Sequence, residues 1–235
     1  MIIFAFFPLF FDPTMILLLP AIALALWAQG KVRSNYNKYS KVASRGGLSG
    51  ADVARRILSS NGLADVEVRG VDGQLSDHYN PRDRSVNLSP AVYQGRSLAA
   101  LAIAAHETGH AMQHGEAYFP LTMRSAIAPS VSIGSTLAFP LFFVGFIFAA
   151  KVGWLMDVGI WFFSAAVVFH MVTLPVEFNA SSRAMAILKN DGYLAQDEAV
   201  GAKKVLDAAA MTYVAAAAVS VMHLVRLLIL RGARD

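Results

Sequence analysis

The stretch AHETGHAMQHGE, residues 105–116, sets His106 and His110 four apart with Glu107 beside the first. On an α-helix, residues four apart project from one face, so two imidazoles can reach one metal ion while the adjacent carboxylate meets the water bound to it. This H-E-x-x-H spacing is the one used in zinc-dependent peptide hydrolysis. With 6 His in 235 residues, chance would produce it in about one such chain in three hundred, so coincidence explains it poorly. SLAALAIAA, residues 97–105, runs directly into the motif and reads as helix. The competing reading is a core helix with satisfied polar residues. A glutamate between two histidines is costly to bury on such a helix unless something offsets the desolvation, which a metal does. The chain has no cysteine, so that metal would have to use His, Asp and Glu.

A catalytic zinc takes three protein ligands and keeps one position open for water. His114 lies eight residues after His106, a rise of roughly 12 Å along a helix, too far for both to hold one ion. A longer H-E-x-x-H-x-x-G-x-x-H pattern fails as well, because Gln113 and Glu116 stand where glycine and a third histidine belong. The third ligand must come from elsewhere. Glu177, an acid at the end of an apolar run, is the best candidate, ahead of Asp77, Glu116 and Asp191. Its competing reading is a carboxylate at a membrane interface.

The elements that position these residues are dominated by apolar sequence. The chain is 56% hydrophobic and 15% charged with a mean hydropathy of +0.49, a membrane composition. Four segments approach the roughly 20 residues needed to cross a bilayer: 14–29, 127–150, 152–174 and 208–230. The aromatic run IIFAFFPLFF is a candidate upstream extension of the first; the absence of Lys or Arg before it and the Asp12-Pro13 break read against a cleaved leader. The fourth carries His223 and Arg226, so an interfacial or buried helix competes with a span there. Lys31, Arg33, Lys38, Lys41 and Arg45 follow the first segment and nothing basic precedes it, which places 31–124 in the cytoplasm; Arg231 and Arg234 disagree if the fourth segment spans. The second and third segments form a hairpin about Lys151 and Gly153. Residues near His106 and near Glu177 therefore face one compartment.

Within 31–124, SGADVARRILSSNGL reads as a helix capped by Ser49 and ended by Gly62. VEVRG and SVNLS alternate like strands, separated by the turn-rich DHYNPRD. The expected architecture is a mainly α membrane protein with three or four transmembrane helices and a small α+β zincin-like catalytic unit at the membrane surface. Its divisions are an N-terminal span in 1–30, an α+β catalytic region in 31–126, a transmembrane hairpin in 127–176, a third-ligand helix and polar region in 177–207, and an apolar helix with a basic tail in 208–235. The net charge of +4 is dispersed and no nucleic-acid motif accompanies it, so the expected partners are a peptide or protein substrate and the lipid bilayer, not nucleic acid.

AAHETGHAMQH, LPVEFNASSRA, DHYNPRD followed by VNLS, and AAAMTYVAAA resemble the bacterial membrane-bound neutral zinc metallopeptidases of the YugP-like family, over about residues 36–217. The resemblance implies a Zn2+ enzyme of the inner membrane with His106 and His110 as ligands, Glu107 as catalytic base and, by position, Glu177 as third ligand. More distantly the chain is similar to the HtpX-like membrane gluzincins, whose third-ligand helix reads E-x-x-A-D. Glu177 and Ala180 fit that pattern and Ser181 replaces its aspartate, leaving Asn179 or Ser181 to orient a ligand histidine.

The implied reaction is zinc-assisted endopeptidase hydrolysis, against which stand a non-catalytic scaffold with a structural zinc and a transporter-like protein. An intact Glu107 argues against the scaffold; Pro20, Pro140 and Pro175 give the transporter weak support. Oxyanion stabilisation is expected from His78, Tyr79, Arg183 or Tyr193, with no choice among them. RSVNLS is a candidate edge strand for pairing with an extended substrate, and sheet packing alone is its equal rival. His170 and His223 are read as packing residues, and His114 as a helix-surface or supporting group.

Overall fold

Long runs of Ala, Leu, Val and Phe with few breakers put most of the chain into helix. In the computed structural model, which describes residues 12–234, a 3-10 turn at Pro13–Leu18 leads into α1 (Leu19–Tyr39). α2 (Gly50–Ser60), β1 (Glu67–Gly70), β2 (His78–Asn80), β3 (Ser85–Leu88), α3 (Pro90–Tyr93) and α4 (Leu98–Gly115) follow. The chain ends in α5 (Phe119–Ile147), the short α6 (Ala149–Val152), α7 (Trp154–Asn190) and α8 (Gln196–Gly232). Four helices, Pro13–Tyr39, Phe119–Ile147, Trp154–Asn190 and Gln196–Gly232, are long and apolar enough to cross a membrane. The mainly α membrane architecture expected above is the one observed, with four candidate spans. The aromatic run IIFAFFPLFF lies outside the described residues.

The helices are longer than their apolar stretches. α7 carries on past Leu174 through Glu177 to Asn190, because Pro175 removes only one hydrogen bond and the residues after it, NASSRAMAILKN, include good helix formers. α8 likewise begins at Gln196, with Glu198 accepting the Ala195 N–H at 2.9 Å. Each helix thus joins an apolar part and a polar part, and the chain divides into two compact units.

One unit comprises residues 12–27, 124–172 and 213–234. Its core is Ala138, Phe142, Met156, Phe163 and Leu227. A Cβ added at Gly159 would lie 2.6 Å from the Ala138 carbonyl oxygen, so α5 and α7 meet backbone to backbone, as small residues permit between membrane helices. Arg226 on α8 pairs with Asp12 and donates to the Thr14 hydroxyl, which explains how an arginine sits in an apolar helix. His223 lies edge-on to Phe139 and Phe163, and His170 edge-on to Phe169.

The other unit comprises residues 28–123 and 173–212. Ser49 caps α2 in a reciprocal box with Asp52, and the helix buries Val53, Ile57 and Leu58. The sheet has the order β1-β3-β2, with β1 parallel and β2 antiparallel to β3. Two expectations change here. The turn signal of DHYNPRD holds only for its second half, since His78–Asn80 forms β2 and pairs back on β3. RSVNLS supplies β3, the central strand, whose two edges are already occupied; it offers no edge to a substrate.

Candidate metal centre

The motif helix α4 is held on several sides. Ser97 caps it by accepting the Ala100 N–H at 3.2 Å. Leu101, Ala102 and Ala105 pack with Ile57, Leu188 and Ala202, while Ala104 and Ala111 pack with Val68, Val86 and Leu88 of the sheet. Alanine on these faces lets neighbours come close. At Gly109 a Cβ would stand 2.8 Å from the Ala180 carbonyl oxygen, so α7 crosses α4 with its backbone against the motif.

That crossing delivers Glu177. Its Oε2 lies 3.3 Å from His106 Nε2 and 3.6 Å from His110 Nε2, and the ligand atoms of the three residues all fall within 4.8 Å of one another. Ligands at about 2.0–2.1 Å from a tetrahedral ion are roughly 3.4 Å apart, so the distances from the Glu177 oxygen to the two imidazole nitrogens match those within a zinc shell. Glu177 is 3% exposed. Burial by itself would raise its pKa, yet the imidazoles of His106 and His110 beside it hold the carboxyl well below the usual carboxylate range. His110 moves the other way: burial opposes its charged form, and Glu177 with the charge of Glu107 outweighs that and raises it.

A second layer fixes the imidazoles. Gln113 is fully buried; its Nε2 donates to the Val176 carbonyl at 2.8 Å and to Asn179 Oδ1 at 2.9 Å, so its Oε1, 3.0 Å from His110 Nδ1, must act as acceptor. This places a proton on His110 Nδ1 and leaves Nε2 as the nitrogen that faces Glu177. Ser181 Oγ lies 3.1 Å from His106 Nδ1, where the related E-x-x-A-D pattern would put its aspartate. Ser181 and Asn179 therefore both contribute, the first directly and the second through Gln113. Sequence reasoning weighed Gln113 only as a misfit to a longer motif; its spacing of three from His110, on the same helix face, was the available signal.

Glu107, 8% exposed, accepts the Tyr79 backbone N–H at 2.9 Å, so β2 grips the carboxylate next to the histidines. Asp77, just before β2, accepts the Ser89 N–H and hydroxyl; burial pushes its pKa up, and the charge of Glu107 adds to this. The four oxyanion candidates are dispersed differently. The Tyr79 hydroxyl is 2.7 Å from His114 Nδ1. Arg183 forms a paired contact with Glu116 at 2.7 Å and donates to Asn179 at 2.7 Å. His78 is exposed with its Nδ1 2.8 Å from the Ser76 carbonyl, and Tyr193 packs against the core around Leu98 and Leu188. Of the other acids considered for the metal, Asp77 is committed to Ser89 and Glu116 to Arg183.

Known proteins bear on this geometry. A family described as "Putative neutral zinc metallopeptidase" matches residues 14–232. The "Putative membrane protease YugP" of Bacillus subtilis (strain 168) is 50% identical over 220 residues, covering 93% of this chain and 97% of that one. No solved structure matches.

Proposed function

The chain belongs to this neutral zinc metallopeptidase family, and from that premise we propose that it is a membrane-bound zinc endopeptidase in which His106, His110 and Glu177 hold one Zn2+ and Glu107 is the general base. The observation that carries the reading is the convergence of the three donor atoms within 4.8 Å beside Glu107. Zinc bound there would polarise the scissile carbonyl and bring the pKa of its water toward about 7. Glu107 would serve as the base that takes a proton from the attacking water and as the acid that returns one to the amine nitrogen as the C–N bond breaks. The Tyr79 N–H keeps the Glu107 carboxylate oriented. Gln113 and Ser181 hold the imidazole rings so that one nitrogen of each faces the ion. A structural zinc site has no use for such a base, which sets the scaffold reading aside.

The enzyme is proposed to work on the cytoplasmic side of the bacterial inner membrane. The basic residues Lys31, Arg33, Lys38, Lys41 and Arg45 after the first apolar segment support that orientation. A single cysteine at Ser59 should resist membrane-impermeant reagents in intact cells; labelling there reverses the orientation.

The reaction is tested by zinc affinity and hydrolysis of an unstructured reporter protein, for the parent, Glu107→Gln and Glu177→Gln. Glu107→Gln should keep zinc and lose activity by about a hundredfold or more, with no rescue by added metal. Glu177→Gln should bind zinc weakly and recover partly at high zinc. Parental zinc affinity in Glu177→Gln assigns the third ligand to another residue.

A further inference from the structure

The hydrogen bonds behind His110 do not end at Asn179. One turn further along α7, Arg183 donates from Nε to Asn179 Oδ1 at 2.7 Å, and its two terminal nitrogens reach the two carboxylate oxygens of Glu116 at 2.7 Å each. All three guanidinium nitrogens are engaged, in a planar fork that a lysine cannot reproduce. Asn179 Oδ1 also accepts from Gln113 Nε2 at 2.9 Å, and Gln113 Oε1 stands 3.0 Å from His110 Nδ1. Arg183, Asn179 and Gln113 thus link a carboxylate that is 56% exposed to a candidate metal ligand whose side chain is 12% exposed.

The polarity of these bonds runs one way. A guanidinium has donors and no acceptor, so the Asn179 atom facing Arg183 must be its oxygen. That oxygen only accepts, so Gln113 must offer it the NH2 group and turn its own oxygen to His110. The Val176 carbonyl, 2.8 Å from Gln113 Nε2, demands the same orientation. With the Asn179 amide reversed, its NH2 group would oppose that of Gln113, donor against donor. Arg183 removes that state. The same contact ties the two ligand-bearing helices, since Arg183 lies six residues beyond Glu177 on α7 and Glu116 six beyond His110 at the end of α4. An ion pair open to water on one side contributes little to folding stability, so its main consequence here is orientation.

We propose that Arg183, held by Glu116, is a positioning residue for the metal centre: through Asn179 and Gln113 it fixes the His110 ring with a proton on Nδ1 and Nε2 toward the ion. The proposal rests on the reading of His110 as a zinc ligand. Arg183 acts only through its neighbours, so its effect depends on Asn179 presenting an acceptor to Gln113.

The test is a double-mutant cycle on the full chain in nanodiscs, with zinc affinity read by chelator competition and ligand geometry by the visible absorption of the Co2+-substituted protein. Arg183→Met should weaken zinc binding about fivefold and shift the Co2+ bands, and Glu116→Gln should do the same to a smaller degree. In an Asn179→Leu background, Arg183→Met should cost nothing further. Asn179→Asp presents an acceptor whichever way it rotates, so it should restore most of the affinity lost in Arg183→Met, and gain less when Arg183 is intact. An equal cost of Arg183→Met in both backgrounds makes the residue a plain helix clamp and overturns the proposal, as does a failure of Asn179→Asp to restore affinity. Parental zinc affinity and Co2+ bands in Arg183→Met overturn it as well. A parent protein that binds neither Zn2+ nor Co2+ overturns the zinc reading itself, a result separable from the others.

Discussion

Arg226, 5% exposed, and Glu177, 3% exposed, are both charged groups inside the protein, and their surroundings differ in kind. In the unit of residues 12–27, 124–172 and 213–234, Arg226 meets Asp12 and Thr14, and Arg231 meets Asp157 at 2.8 Å: positive charge is cancelled where it lies. In the unit of residues 28–123 and 173–212, Glu177 meets two imidazoles, and Glu107 meets a backbone N–H. The first arrangement is complete within the protein. The second collects lone pairs at the spacing of a coordination shell, and its charge is balanced when the histidines are protonated or when a cation enters. A buried ion pair and a buried ligand set thus both contain acid and base, and the geometry of the donor atoms tells them apart.

Variants on the two sides of this contrast should behave differently. Arg226→Ala leaves the part-buried Asp12 without its partner and should lower stability by about 3 kcal/mol, read from the denaturant midpoint in detergent. Arg226→Met with Asp12→Leu should recover most of that loss, since neither charge then remains. A cost for Arg226→Ala below about 1 kcal/mol, as for an exposed pair, would show that the charge is not sequestered.

On the ligand side, Gln113→Leu removes the acceptor at His110 Nδ1 and should weaken zinc affinity or activity by about ten- to a hundredfold, measured by chelator competition and reporter hydrolysis. Stability should fall as well, because the Val176 carbonyl and Asn179 lose a partner, so zinc affinity is the discriminating readout. Unchanged affinity would mean that the imidazole is held by packing alone. The smallest effect is expected at His106, where Ser181→Ala removes one neutral hydrogen bond and should cost zinc affinity about threefold, the low end of what such a bond contributes. Ser181→Asp, restoring the carboxylate of the related pattern, should tighten zinc; a weaker site in that variant would contradict the positioning role.

Much of the candidate site was legible because its main signal is local. The spacing of His106, Glu107 and His110 needs only the helical period to become a face, and SLAALAIAA supplies the helix. Glu177 was reachable by topology, since two apolar segments joined by a short turn return the chain to its starting side. The apolar segments were legible for the same reason, although the ends of α7 and α8 were not: composition marks where a helix is greasy, while Pro175 and the polar residues beyond it continue the helix without announcing it.

What the sequence by itself determined is therefore each property set by neighbours along the chain: helix, apolar span, the Ser49 cap, the two-histidine face and the absence of cysteine ligands. Only the tertiary structure decided which strand lies in the middle, since β3 gains partners on both edges from segments on either side of it, and strand order is a long-range choice that alternation does not encode. It also decided that Gln113 rather than an acid orients His110, that the Tyr79 N–H grips Glu107, and that Asp12 neutralises Arg226 across more than two hundred residues of chain. Each of these is a hydrogen bond between groups whose partners come from crossing helices or a neighbouring strand edge. A polar side chain carries its capacity to bond in the sequence, but its partner is selected only when packing brings the two together and removes the water that would otherwise serve.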